Sequence, residues 1–407
     1  MTISLLAANP PSTAGLSRGV IVMLSVMCGV SIASAYYAQP LLPAIGRSLN
    51  VSETLMGLVP MLTQIGIGVG VVLLLPLGDI IDGRRLILGL IGAHIVALAT
   101  VASAQSAMAL NWLSFTMGLT TVTPYLLPAF AAKLTPLAQR GHVTGLLARG
   151  VFAGILLART LSAYVGYFSG WRTIYWIAVV AMLGMGALLV RKLPSSPPQL
   201  KLSYSTLLRS LVTVFAEHRT LRIAALTQGL LFGGFNAFWI TLSFYLESPR
   251  FHAASYVSGL FGIIGLVGAM AAPVFGRLAD QRGPVFAVRI GSLITLGAWA
   301  VFATVGGTLA GLVVGVLLLD LGTTACHVSN QAVIYRLGSE VRSRVTTLYI
   351  LGLFVGAAVL SPLATFAWAH VGWIGVCAVG SVATLLAVVA NHLPNTEGGA
   401  QLQKSSV

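Results

Sequence analysis

Charge is scarce in this chain. Charged side chains make up 8% of its 407 residues, where a soluble globular protein carries about 25%. That shortage excludes a water-exposed globular surface. Acids are scarcest, with nine Asp and Glu against 23 Lys and Arg, for a net charge of +14. The basic residues sit in short clusters between hydrophobic runs rather than along one face or tail, which speaks for membrane topology and against a nucleic-acid partner. Three cysteines, Cys28, Cys326 and Cys377, all lie in apolar segments without metal-ligand spacing. No disulfide framework, metal or cofactor is expected. Also missing are paired catalytic aspartates, a His/Glu metal set and an activated serine, so an enzyme is not expected. A ring of charges or repeated pore loop, as a channel needs, is absent. So is an ATP-binding P-loop, without which a primary pump needs a partner subunit.

What is present is apolar. Hydrophobic residues make up 57% of the chain, and 45 glycines are spread through the runs, as helix contacts in a membrane favour. Runs long enough to cross about 30 Å of hydrocarbon as helix fall near residues 19–42, 54–77, 86–104, 108–132, 143–168 and 171–190, then 222–246, 255–278, 285–306, 308–334, 345–369 and 373–391. They predict an all-α integral membrane protein of twelve spans. Arg18, the following apolar run and "ASA" at 33–35 resemble a signal peptide, but the run continues to Pro43, so a retained first span is expected. An even number of spans puts both termini on one side. All but five of the 23 Lys and Arg fall on that side; the opposite face has Arg47, Arg172 and Arg250, while Arg149 and Arg159 lie within span 5. By the positive-inside rule both termini are cytoplasmic, in a cell (inner) membrane.

The order reads as residues 1–192, an N-terminal six-helix bundle; 193–219, a cytoplasmic linker; and 220–407, a C-terminal six-helix bundle. "LPSSPPQ" at 193–199 breaks structure. After it, Leu207, Leu208, Leu211, Val212 and Phe215 fall at helical spacing, predicting an amphipathic helix on the membrane surface. The halves look like repeats. At an offset of 202, "GVFAG" (150–154) falls on "GLFVG" (352–356), Gly57 on Gly259, and Gly170-Trp171 on Gly372-Trp373. Parallel six-span repeats with a site between them are one plan for a transporter.

Two loops carry related motifs. "PLGDIIDGRRLILG" follows span 2 and "VFGRLADQRGPV" follows span 8. Gly78 and Asp82 repeat as Gly276 and Asp280, accompanied by Arg84, Arg85, Arg282 and Gly283. Glycine permits a tight turn between close helices, and the aspartate can accept from a helix N-terminus or pair with arginine, forming a latch. These residues resemble the loop signature of the major facilitator superfamily, G-x-L-x-D-R-x-G-R-K. The second copy fits well; in the first, "GRR" after Asp82 displaces the later glycine. The segments 154–172 and 317–335 resemble a bacterial efflux-type branch of drug or metabolite:proton antiporters. The resemblance implies a monomer that moves a small molecule and protons by alternating access. Two features depart from the antiporter pattern: span 4 lacks a membrane arginine, and span 5 keeps Gly145, Gly150 and Gly154 but has no proline.

Of the nine acids, only Asp320 falls within the hydrocarbon. A charge at bilayer depth costs roughly 2.5–3.5 kcal/mol on insertion scales and usually marks function. Asp320, Thr324, His327 and Gln331 share one stripe of span 10, which should face protein or a water-filled cavity. Spans 1, 4, 7 and 10 line the cavity in the superfamily's architecture. Arg159 is the candidate partner: it lies roughly 14 Å from the outer end of span 5, and Asp320 roughly 18 Å from that of span 10, at about 1.5 Å per residue. It could instead bind a backbone carbonyl or an anionic substrate. Asp320, Arg159 and His327 are thus proton-coupling candidates. Tyr37, Gln39, Tyr125, Asn236, Trp239, Thr324, Asn330 and Gln331 are cavity candidates, aromatic and amide groups suited to a mostly apolar organic solute. The sequence favours export of a drug or metabolite, with proton-coupled or facilitated uptake as the alternative.

Overall fold

The structure is a computed structural model. It describes residues 16–198, 203–254, 256–269, 272–338 and 341–392. Lys201 and Lys404, two of the basic residues expected on the terminus side, lie outside the described residues, as do the acids Glu340 and Glu397.

Long apolar helices account for the fold. Among the described residues ten are long and apolar enough to cross a membrane: Arg18–Leu49, Glu53–Ile80, Gly83–Ala102, Gln139–Ser169, Trp171–Lys192, Arg219–Glu247, Pro284–Thr304, Leu309–Tyr335, Arg342–Val371 and Trp373–His392. The fourth expected span is two helices, Ala107–Thr120 and Thr123–Lys133. It breaks just before Pro124, whose ring cannot donate a backbone bond. The eighth is Tyr256–Ala269 and Ala272–Arg282, on either side of residues outside the described set. These twelve segments form two pseudo-symmetric six-helix bundles.

The repeat is visible as shared packing. Span 1 crosses span 5 at Gly29, Gly150 and Gly154; a Cβ on Gly29 would stand 2.7 Å from the Gly150 carbonyl oxygen. Span 7 crosses span 11 in the same way, with a Cβ on Gly229 falling 2.5 Å from the Gly352 oxygen. The halves then meet twice. Gly57 of span 2 packs on Thr365 of span 11, and Gly259 of span 8 packs on Ala163 of span 5. Each contact is the other shifted by 202 residues, as a pseudo-twofold arrangement requires.

The two ends of the bundle differ. At the end away from the linker, polar bonds join the halves: Arg47 pairs with Glu247 at 2.6 Å, and Trp368 donates to Glu53 at 2.8 Å. Nearer the linker the contacts become aromatic, Tyr125 against Phe354 and Phe152 against His327. The linker helix, Tyr204–Glu217, buries Leu207, Leu211 and Val214 and leaves Val212 and Phe215 exposed. Its Tyr204 hydroxyl donates to the Leu73 carbonyl of span 2 at 2.7 Å.

Candidate proton and solute site

Span 1 does not stay α-helical. After Ala33 it passes through two 3₁₀ turns, Ser34–Tyr36 and Gln39–Leu41, and resumes at Leu42. The 3₁₀ turn has three residues rather than 3.6, so faces extrapolated from an α-helix drift. Gln39 therefore points into the middle of the molecule and is fully buried. Its Nε2 donates to Asn236 Oδ1 at 3.0 Å, and its Oε1 accepts from Arg159 Nε at 2.9 Å. Three spans are thus joined through one amide.

Arg159 is 1% exposed. Its guanidinium carbon lies 4.2 Å from the Trp239 ring centroid, 5.0 Å from Tyr36 and 5.3 Å from Phe235. Aromatic faces attract a cation, more strongly where water is excluded. Both Nη atoms of Arg159, and Nε1 of Trp239, are buried without a hydrogen-bond partner among the described residues.

Asp320 is 3% exposed, and its Oδ2 is likewise unpartnered. A Cβ built on Gly265 of span 8 would come within 3.0 Å of that oxygen and 3.2 Å of Leu156, so the glycine makes room for the carboxylate. No direct ion pair joins Arg159 to Asp320 among the described residues, although the two charges interact electrostatically. Similar heights along their helices do not bring them into contact, because Gln39 and the aromatic rings hold the guanidinium.

The rest of the stripe divides. His327 has its ring nitrogens against Tyr349 Oη and Gln331 Nε2, both at 3.2 Å. Asn330 donates to Gln228 of span 7 at 3.3 Å, while Thr324 is buried without a described bond. Tyr125 is half-buried and edge-on to Phe354. Trp239 and Asn236 join the Arg159 cluster as described. Tyr37 does not: it packs edge-on against Tyr175 of span 6, and its neighbour Tyr36 faces Arg159.

Two buried groups escaped the sequence reading. Gln64 of span 2 donates to Asn236 at 3.4 Å and has an orphaned Oε1. His94 of span 3 touches Ser34 Oγ at 3.0 Å and Thr120 Oγ1 at 2.9 Å, tying the breaks of spans 1 and 4 together. Each is a polar side chain in an otherwise apolar run, a signal available in the sequence.

The first loop motif is tied down. Asp82 caps span 3, accepting from the Arg85 amide at 3.0 Å, while its other oxygen accepts from Ser195 Oγ at 2.7 Å and the Ser196 amide at 3.0 Å. The Ser195 bond, the largest influence, holds its carboxyl below the usual range; burial opposes it, and the Arg85 and Ser196 amides and the Arg85 charge add to the lowering. Arg84 donates to the Val190 carbonyl, and Lys133 bridges the Gly78 carbonyl and Asp79. In the second copy Gly283 turns at φ +89 before span 9, and Arg282 lies over Phe286. Asp280 is exposed, without a bond among the described residues, and Gly276 is open on its side-chain face.

Known proteins agree with this architecture. The family model described as Major Facilitator Superfamily matches residues 24–334. The uncharacterized transporter YgaY of Escherichia coli O157:H7 is 36% identical over 371 residues, covering 91% of this chain and 94% of its own. A probable transporter of Streptomyces coelicolor is 29% identical over 88% of this chain and 83% of its own. Among solved structures, the nucleoside transporter NupG superposes with a TM-score of 0.75 at 13% identity, covering 91% of this chain and 98% of that one. The human organic anion transporter MFSD10 does so with 0.71 at 20% identity, covering 94% and 100%. The chain is a multi-pass membrane transporter of a small solute and belongs to the major facilitator superfamily.

Proposed function

We propose that this protein is a proton-coupled secondary transporter that moves a small organic solute by alternating access, with Asp320 as the proton carrier. One observation carries the reading: the buried acid Asp320 has an orphaned oxygen and no ion-pair partner among the described residues, beside a buried arginine held by an amide and three rings. An acid locked in an ion pair would stay ionised; one left unpaired can take up and release a proton as its surroundings change. The polar bonds between Arg47 and Glu247 and between Trp368 and Glu53 support a state closed at the outer end, given cytoplasmic termini. In that state the two bundles rock about the midplane site to open the other way. Export in exchange for protons is the direction favoured by the efflux-type resemblance. Uptake with protons is the second reading, and the unpartnered nitrogens of Arg159 favour it, since they suit a solute whose charge opposes that of a proton.

The test uses proteoliposomes under an imposed pH gradient, with a solute first identified by thermal stabilisation of the purified protein. Exchange predicts that inward proton flow drives the solute out; co-transport predicts accumulation in the direction of proton flow. Asp320→Asn abolishes gradient-driven accumulation in either case and leaves counterflow. Driven transport that survives intact in this variant refutes the coupling role.

A further inference from the structure

Orphaned donors in a dry protein interior are costly, at about 1–3 kcal/mol each and more when charged. The middle of this molecule gathers three such nitrogens, Nη1 and Nη2 of Arg159 and Nε1 of Trp239, beneath the rings of Tyr36 and Phe235. Only Nε of the guanidinium is spoken for, by Gln39, a bond that fixes the orientation of the group. The remaining edge is a planar two-nitrogen fork. Its geometry matches the two oxygens of a carboxylate, and the match is specific to arginine rather than lysine. Asp320 does not fill the fork, since its own Oδ2 is equally unpartnered.

The surroundings narrow the solute further. Tyr36, Phe235 and Trp239 present aromatic surface around the guanidinium, while Gln64, bonded to Asn236 through its Nε2, keeps an amide oxygen without a partner. Aromatic walls suit a flat apolar body, and a few placed polar groups fix its orientation. A neutral solute would leave the fork unsatisfied, and an amine would be repelled by it. We infer that the solute is an organic carboxylate with a flat, apolar body, whose carboxylate binds the free edge of Arg159 against Trp239. The inference rests on reading this centre as the solute pathway; because it is read as binding, its test does not depend on the direction of transport.

The probes are 1-naphthoate, 1-naphthamide and 1-naphthylmethylamine, which share one ring system and differ in head group. Each is titrated into purified protein, with melting temperature and tryptophan fluorescence as readouts and no gradient present. Saturable stabilisation by the naphthoate, with at least tenfold weaker effects of amide and amine, is expected. Arg159→Lys keeps the charge but removes the fork and should weaken naphthoate binding at least tenfold. Trp239→Phe, which keeps a ring but removes the indole donor, should weaken it several-fold and guards against a folding failure in the arginine variant. Equal or tighter binding of the amide or amine, no saturable response to naphthoate in the wild type, or full naphthoate affinity in a folded Arg159→Lys protein overturns the inference. Because binding is read at equilibrium, these outcomes are separate from the coupling test. Asp320→Asn that keeps driven transport refutes proton coupling and leaves the carboxylate site standing.

Discussion

The same helix crossing is built once in each half, and the two differ in which helix supplies the small residue. In the N-terminal half, Gly118 of span 4 presses on the backbone of span 2 at Thr63 and Ile67. Shifted by 202 residues, Thr63 becomes Gly265 and Gly118 becomes Asp320. The small residue has changed helices. In the C-terminal half the glycine lies on span 8, and the space it leaves receives a carboxylate. One crossing is a tight structural seam, and its copy houses the buried carboxylate of Asp320. The fold is carried by what the two halves share, and the candidate chemistry by where they part.

The largest effects should come from shared features and be equal in the two halves. A side chain at Gly154 would run into Gly29, and one at Gly356 into Gly229, in both cases into backbone atoms that no rotamer change can move. Gly154→Leu and Gly356→Leu should each destabilise the protein by about 1–3 kcal/mol or more, as overpacking does. Gly276→Ala, whose Cβ meets nothing within 4 Å, should be silent. Thermal unfolding of detergent-purified variants reads this. A large loss in one half alone would break the equivalence of the crossings.

A second pair of substitutions targets the point of difference. Gly118→Ala puts a Cβ against the Thr63 backbone, so it should lower stability in the same assay. Gly265→Ala meets the Asp320 carboxylate at 3.0 Å, a contact the side chain can relieve by moving. Its cost should fall on function: stability near wild type, with driven transport reduced roughly tenfold by a misplaced group. If Gly265→Ala unfolds the protein while transport per folded molecule is unchanged, the space beside Asp320 is structural only.

Much of the fold was legible in the sequence, because spans are long apolar runs and the repeat leaves matches at a fixed offset. Gly57 and Gly259 were visible as equivalents, and the structure shows why, since both pack across the boundary between halves. Span 4 breaks just before Pro124, a residue plain in the sequence. The site was less legible. Tyr37 shares an offset with Trp239, yet the 3₁₀ turns of span 1 rotate it onto Tyr175 and bring Tyr36 to Arg159. Periodicity assumes an unbroken helix, and nothing local in "ASAYYAQP" states where the turn tightens. The separation of Arg159 from Asp320 was hidden for another reason: residue counts give height along a helix, but rotation about its axis depends on neighbours. Gln39 is the neighbour that decides it.

The smallest expected effect concerns the loop motifs, which share residues but not bonds. Asp82 caps a helix and ties span 3 to the segment after span 6, whereas Asp280 is exposed and has no described bond. Losing an N-cap costs about 1 kcal/mol, so Asp82→Ala should lower the melting temperature slightly and Asp280→Ala should not. The pH dependence has a definite sign. A carboxyl held below its usual range stabilises the folded state at pH values above that range, and the contribution fades as pH falls toward the depressed value. The gap between wild type and Asp82→Ala should therefore be full at neutral pH and narrow only in acid. Because the loop is solvent-exposed, water and salt weaken the charge component, and the cap and the Ser195 bond should survive raised ionic strength. Should both alanine variants melt alike at neutral pH, the first motif is no more a fastening than the second, and the asymmetry of the halves is confined to the crossing at Asp320.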